Sequence, residues 1–201
     1  MIKLLFDKAN IVTTLGLLAG LFSIIFTVLN DWELSILMML LAITCDIFDG
    51  IVARRFRKKQ DRLISEIGGQ FDSLADLVHS GIAPGIFIYY YTGETILSAI
   101  LLAIIVISCF LRLAYYNCVG LTDKGYFYGL PVFYSPLILA VVYIIVSFIN
   151  HNILLYFYAI IVPVLHISSS LRIKKSNSGP VFYIFLTCLF IEILYYLFYI
   201  I

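Results

Sequence analysis

The chain has 201 residues, of which 63% are hydrophobic and 12% charged, with a formal net charge of +1 and a mean hydropathy of +1.06. A soluble core cannot absorb that much apolar surface, so the composition excludes an ordinary water-soluble domain and makes the bilayer the solvent for most of the chain. The net charge of +1 says nothing about partners, whereas the placement of the charges says a good deal; no nucleic-acid partner is expected.

Residues 1–9 (MIKLLFDKA) are apolar but broken by Lys3, Asp7 and Lys8, which suits a short segment lying in the interface. Apolar runs then predict seven helices, at about 10–29, 33–54, 69–91, 95–117, 130–149, 152–169 and 180–201, most of them close to the length a helix needs to cross the hydrocarbon layer. The first run lacks the small-residue cleavage pattern of a signal peptide and is read as a transmembrane helix. Between the second and third runs, Arg54 to Glu66 is strongly hydrophilic and reads as a loop or a helix extension.

With the N-terminus in the cytoplasm, all 13 Lys and Arg obey the rule that inner connections are positive. The densest group is Arg54, Arg55, Arg57, Lys58, Lys59 and Arg62, while the outer connections at 30–32, 92–94 and 150–152 carry no Lys or Arg. Cys45, Cys109, Cys118 and Cys188 form no CxxC pair and read as small buried hydrophobes.

Four carboxylates interrupt this pattern. Asp46 and Asp49 lie near the end of the second helix, Asp72 and Asp76 at the start of the third. Their spacings of three and four put each pair on one helix face, and both pairs flank the same hydrophilic connection. Antiparallel neighbours would bring four like charges together at one depth, which is repulsive unless cations neutralise it. Mg²⁺ or Mn²⁺ suits an all-oxygen ligand set, and Ca²⁺ can occupy the same carboxylates without supporting chemistry. The plainer alternative is a salt network with Arg54, Arg55, Arg57 and the adjacent lysines. Gly50, Ala53, Gly68, Gly69 and Ala75 clear space beside the acidic face and favour a ligand or a close helix approach.

The stretch Asp46-x2-Asp49-Gly50-x2-Ala53-Arg54 … Gly68-x3-Asp72-x3-Asp76 resembles the CDP-alcohol phosphotransferase signature, D-x2-D-G-x2-A-R … G-x3-D-x3-D. The connection between Arg54 and Gly68 is longer than the family's usual one, and the additional residues fall where loop length costs little. Leu74-Ala75-Asp76-Leu77-Val78 with Gly81-Ile82-Ala83-Pro84, Arg112-Leu113-Ala114-Tyr115-Tyr116-Asn117, and Gly129-Leu130-Pro131 resemble segments of the phosphatidylserine synthase branch. His79-Ser80 stands where that branch has Ser-Phe, and Tyr115 where it has Arg. Asn10 and Thr13 match an N-x2-T common near the start of members.

The resemblance implies an all-α polytopic membrane bundle, a six-helix core with an additional transmembrane helix. It implies a homodimer in the cell membrane, with N-terminus and active site on the cytoplasmic side. The chain is expected to form a single integral membrane domain, with the interfacial segment at 1–9, the catalytic motifs in 10–135 and C-terminal helices in 136–201. Carried over by position, Asp46, Asp49, Asp72 and Asp76 would hold two Mg²⁺ or Mn²⁺, with Asp76 also the general base. Asn10, Thr13, Gly50, Ala53, Arg54 and Gly68, with Asp49 and Asp72, would hold CDP-diacylglycerol or CDP-archaeol.

L-serine, the acceptor the branch implies, carries a carboxylate and an ammonium. Arg112 offers a bidentate fork for the former, although the same residue could serve as a snorkelling anchor. Asn117 could contact the ammonium or cap a helix, and Lys124 is a further candidate for serine binding. His79 could touch the site or bond the backbone, whereas His151 and His166 read as structural or solvated. The rival acceptors are glycerol 3-phosphate and an inositol phosphate; a cation channel or transporter is the rival outside this chemistry, and it leaves Gly50, Ala53 and Arg54 unexplained.

Overall fold

The computed structural model describes residues 5–56, 62–121, 125–149, 151–174 and 180–200. In chain order these form α1 (Lys8–Val28), α2 (Trp32–Phe56), α3 (Arg62–Asp76), a π-helical turn (Leu77–Ile82), α4 (Ala83–Tyr91), α5 (Ile96–Val119), β1 (Tyr126–Tyr128), α6 (Tyr134–Ile149), α7 (Ile153–Ile167), β2 (Arg172–Lys174) and α8 (Pro180–Ile200). The backbone stays right-handed helical at Asp76 and Ala83, so α3, the π turn and α4 make one continuous rod. Helix α1, most of α2 and α5 are long and apolar enough to cross a membrane, and α6, α7 and much of α8 are shorter apolar helices. The chain is an integral membrane helical bundle.

Local chemistry sets the helix ends. Asp7 caps α1 by accepting from the backbone N–H of Ala9 (3.2 Å) and Asn10 (3.4 Å). Of the interfacial segment expected at 1–9, residues 1–4 lie outside the described residues and Lys8 already belongs to α1. Thr95 caps α5 through the Ser98 N–H at 3.1 Å, and Gly120, at φ 69°, ends that helix.

Three features differ from the sequence expectation. The third helix starts at Arg62 rather than near 69, so part of the hydrophilic stretch is a helix extension. The same rod carries the π turn just before Pro84, which has no N–H to continue an α-helical ladder and whose ring crowds the carbonyl four residues back. Finally, the all-α expectation omitted a two-stranded antiparallel ribbon that pairs Tyr126 with Lys174, Phe127 with Ile173 and Tyr128 with Arg172. The ribbon joins the connection after α5 to the connection after α7, so both lie on one face of the bundle.

The core runs along α2, where Ile36, Met39, Leu40 and Ile43 are buried together with Phe87 of α4, Ile105 of α5, Leu139 of α6, Leu155 of α7 and Tyr196 of α8. Outward-facing Phe22, Ile104, Ile107, Ile160 and Phe190 are exposed, as lipid contact requires. Near the start of α2, Trp32 meets Phe87 and Tyr91 edge-on, and the Tyr143 hydroxyl donates to Glu33 at 2.7 Å. Helix α1 rides close against its neighbours because Gly16 and Gly20 lack side chains. A β-carbon on Gly16 would stand 3.1 Å from Cys45 Cβ, and one on Gly20 would stand 2.9 Å from His79 Cβ.

Candidate active site

Helices α2 and α3 carry the four carboxylates to a common level. Asp46, Asp49 and Asp72 each offer an oxygen, and these oxygens lie within 4.8 Å of one another. Asp49 is buried, and its carboxylate accepts a short hydrogen bond from the Thr13 hydroxyl of α1, which also lies 3.1 Å from the Ala9 carbonyl. A mutually repelling set of this kind, with Asp49 buried and Asp46 and Asp72 partly exposed, matches the oxygen donors a hard divalent cation takes.

Asp76 stands one turn beyond Asp72, at the head of the π turn. Its Oδ1 is buried without a hydrogen-bond partner among the described residues. His79 Nε2 lies 3.3 Å from that oxygen but not in hydrogen-bond alignment. The imidazole is itself buried, with Nδ1 3.0 Å from the Ser80 hydroxyl. Asp76 thus stands at the junction of α3 and the π turn with one buried carboxylate oxygen that no described residue hydrogen-bonds.

Asp46, Asp72 and Asp76 open onto a cavity of about 210 Å³ whose opposite wall contains Arg112, Tyr116 and Phe127. Arg112 comes from α5 and is only 6% exposed. Its guanidinium lies over the rings of Tyr116 (5.6 Å) and Phe127 (5.8 Å), with Nε unpartnered among the described residues. Stacking between two aromatic faces holds a cation in place without neutralising it. Among the described residues that line this cavity, Arg112 is the one cation.

The remaining predicted residues lie around this centre. Asn10 is fully buried on α1, and Thr14 donates to its carbonyl at 2.7 Å. Gly50 and Ala53 are half-buried and Arg54 is exposed on α2, while Gly68 is buried on α3. A β-carbon on Gly50 would come 3.5 Å from the Arg54 guanidinium, an ordinary contact. Asn117 does not line the cavity; it is exposed and accepts from Ser73 at 3.0 Å, tying α5 to α3 beside Asp72. Lys124 lies outside the described residues, as do Arg57, Lys58 and Lys59.

Sequence reasoning missed Tyr116 and Phe127 as the cradle of Arg112. Phe127 sits in a three-residue strand whose partner is far along the chain, and no spacing announces it. Tyr116 follows Arg112 by one helical turn, a signal that was available.

A model of the CDP-alcohol phosphatidyltransferase family matches residues 6–197 of the chain. The chain is 30% identical over 126 residues to a CDP-diacylglycerol–serine O-phosphatidyltransferase of Helicobacter pylori, covering 61% of this chain and 51% of the relative. It is 31% identical over 124 residues to the archaetidylserine synthase of Methanothermobacter thermautotrophicus, covering 61% and 52%. It is also 34% identical over 125 residues to the phosphatidylcholine synthase of Borreliella burgdorferi, covering 61% and 51%. The chain thus spans about half the length of these curated relatives.

Proposed function

The chain belongs to the CDP-alcohol phosphatidyltransferase family, and on that premise we propose that it transfers a phosphatidyl-type group from a CDP-linked lipid to the hydroxyl of L-serine, releasing CMP. The observation that carries this reading is the shared cavity, lined by Asp46, Asp72 and Asp76 and by a buried Arg112 that pairs with no carboxylate among the described residues. Carboxylates suit the reacting phosphate once cations are bound, and the guanidinium suits an anionic acceptor.

In the proposed reaction the serine oxygen forms a bond to the phosphorus that bears the lipid, and the bond from that phosphorus to the CMP oxygen breaks. Asp76 takes the hydroxyl proton, a role supported by its unpartnered Oδ1. Asp46, Asp49 and Asp72, with Asp76 completing the set, would hold two Mg²⁺ or Mn²⁺. Bound there, such ions offset the charge that develops on the attacking and leaving oxygens, while Ca²⁺ would fill the same carboxylates without turnover. Thr13 fixes the orientation of Asp49. Asn10, Gly50, Ala53, Arg54 and Gly68 form the proposed nucleotide wall, where the missing side chains of the glycines leave room for the cytidine diphosphate.

The names of the relatives include more than one alcohol, so the choice of acceptor rests on the cavity. A quaternary ammonium acceptor would meet Arg112 as a like charge. A dianionic phosphate acceptor calls for more cationic groups than the single one on the described lining. The donor is CDP-diacylglycerol or its ether-linked counterpart, CDP-archaeol. The placement of positive charge supports a cytoplasmic N-terminus and cavity in the cell membrane, and the family resemblance supports a homodimer, which crosslinking in native membranes would test.

The decisive experiment incubates the purified protein with CDP-diacylglycerol and a panel of alcohols and follows CMP. Release that depends on serine and on Mg²⁺ or Mn²⁺, and that stops on chelation, is expected. Preference for glycerol 3-phosphate would reject the acceptor, and full activity after exhaustive chelation would reject the metal-dependent reaction.

A further inference from the structure

A second cavity, of about 560 Å³, lies on the other side of Arg112, between the C-terminal part of α5, β1 and the end of α7. Its lining is mostly apolar, from Leu111, Ala114, Tyr115 and Ile167, but two buried polar side chains border it, Arg112 and His166. Each has a buried nitrogen with no partner among the described residues, Arg112 Nε and His166 Nε2. His166 is 1% exposed. Two lining residues of one cavity that each carry a buried nitrogen without a partner among the described residues are a costly arrangement for packing alone.

The hydrogen bonds of Ser108 settle the tautomer of His166. The Ser108 hydroxyl donates its single proton to the Ile105 carbonyl at 2.8 Å. Its oxygen, 3.3 Å from His166 Nδ1, is therefore left to accept from Nδ1–H. The neutral ring then presents Nε2 as a bare acceptor, while Arg112 Nε–H is a charged donor.

We propose that Arg112 and His166 together recognise the head of an α-amino acid acceptor, Arg112 donating to its carboxylate and His166 Nε2 accepting from its ammonium. This rests on the reading of serine as acceptor and adds the residue that selects for an amino group. Because Arg112 borders both cavities, a zwitterion held on it can turn its hydroxyl toward Asp72 and Asp76. The segment Gly129-Leu130-Pro131 fixes His166 in place: Gly129 N–H donates to the Leu171 carbonyl at 2.8 Å and Leu130 N–H to the Leu165 carbonyl at 2.9 Å.

The test measures CMP release by the full-length protein with three acceptors: L-serine, ethanolamine, which lacks the carboxylate, and 3-hydroxypropionate, which lacks the ammonium. In the unmodified protein, serine should exceed 3-hydroxypropionate in kcat/KM by roughly ten- to a hundredfold, the loss of one hydrogen bond to a charged group. His166→Leu should lower kcat/KM for serine and ethanolamine by a similar factor through KM. The KM for CDP-diacylglycerol and the already poor use of 3-hydroxypropionate should not move. His166→Gln, whose amide oxygen is again an acceptor, should restore part of the loss. An equal loss on all three acceptors, or a loss on none, overturns the proposal. If His166→Leu does not fold, a serine to 3-hydroxypropionate ratio near one in the unmodified protein overturns it instead. CMP release with other alcohols but not with serine would reject the acceptor reading itself, a separate outcome.

Discussion

The Thr13 hydroxyl on α1 donates to the carboxylate of Asp49 on α2, so the first helix reaches into the acidic cluster without supplying a carboxylate of its own. Thr13→Val keeps the shape and removes the donor. A buried carboxylate that loses a hydrogen bond forfeits about 1–3 kcal/mol. We expect the concentration of Mg²⁺ needed for half-maximal CMP release to rise roughly tenfold as Asp49 loses its orientation. A metal titration unchanged from that of the unmodified protein would dismiss the role of Thr13.

Asp76 and Asp72 should separate in kinetics. Asp76→Asn removes the proposed proton acceptor but leaves Asp46, Asp49 and Asp72 in place, so turnover should fall by roughly 10²–10⁴ while CDP-lipid binding is largely kept. Asp72→Asn should instead weaken metal and nucleotide binding together. Near-normal turnover in Asp76→Asn, under conditions where chemistry limits the rate, would assign the base elsewhere.

Arg112→Lys retains the charge and loses the planar fork that stacks between Tyr116 and Phe127. The apparent KM for serine should rise about ten- to a hundredfold, with the KM for CDP-lipid unaffected. A snorkelling anchor would tolerate the change, so unaltered serine kinetics in a folded variant would remove Arg112 from the site.

Gly129→Ala tests the support of the second cavity. Gly129 has φ 71°, and a β-carbon there would collide with the backbone carbonyl oxygen of His166. Left-handed strain together with this collision should destabilise the fold by about 1–3 kcal/mol, seen as a lower melting temperature in detergent. An unshifted melting temperature would mean that α7 moves aside at little cost.

The fold and the acidic cluster were legible in the sequence for different reasons. Long apolar runs announce helices because lipid leaves the backbone no other partner, and Asp46, Asp49, Asp72 and Asp76 stand out because carboxylates at helical spacing are costly there. Arg112 was legible as a cation near the end of an apolar run, but its aromatic cradle depends on β1 folding back. His166 was read as structural or solvated, since a lone histidine on an apolar helix carries no spacing signal; only Ser108, 58 residues away, and the cavity give its ring an orientation. The ribbon escaped because its three-residue strands are too short to show alternation.

The π turn acts as a change of phase along the α3–α4 rod. An extra residue in a helix advances everything beyond it by about 100°. The half before the turn presents Asp72 and Ala75 to α1 and α2, and the half after it presents Phe87 and Ile88 to the core. Deleting one residue between Leu77 and Ile82 would repair the helical ladder yet turn one half away from its partners, so either the carboxylates or the aromatic core would be lost. The rod therefore has a fixed length in residues, unlike the hydrophilic connection before it, and among related chains gaps should gather in the connection and stay out of the rod.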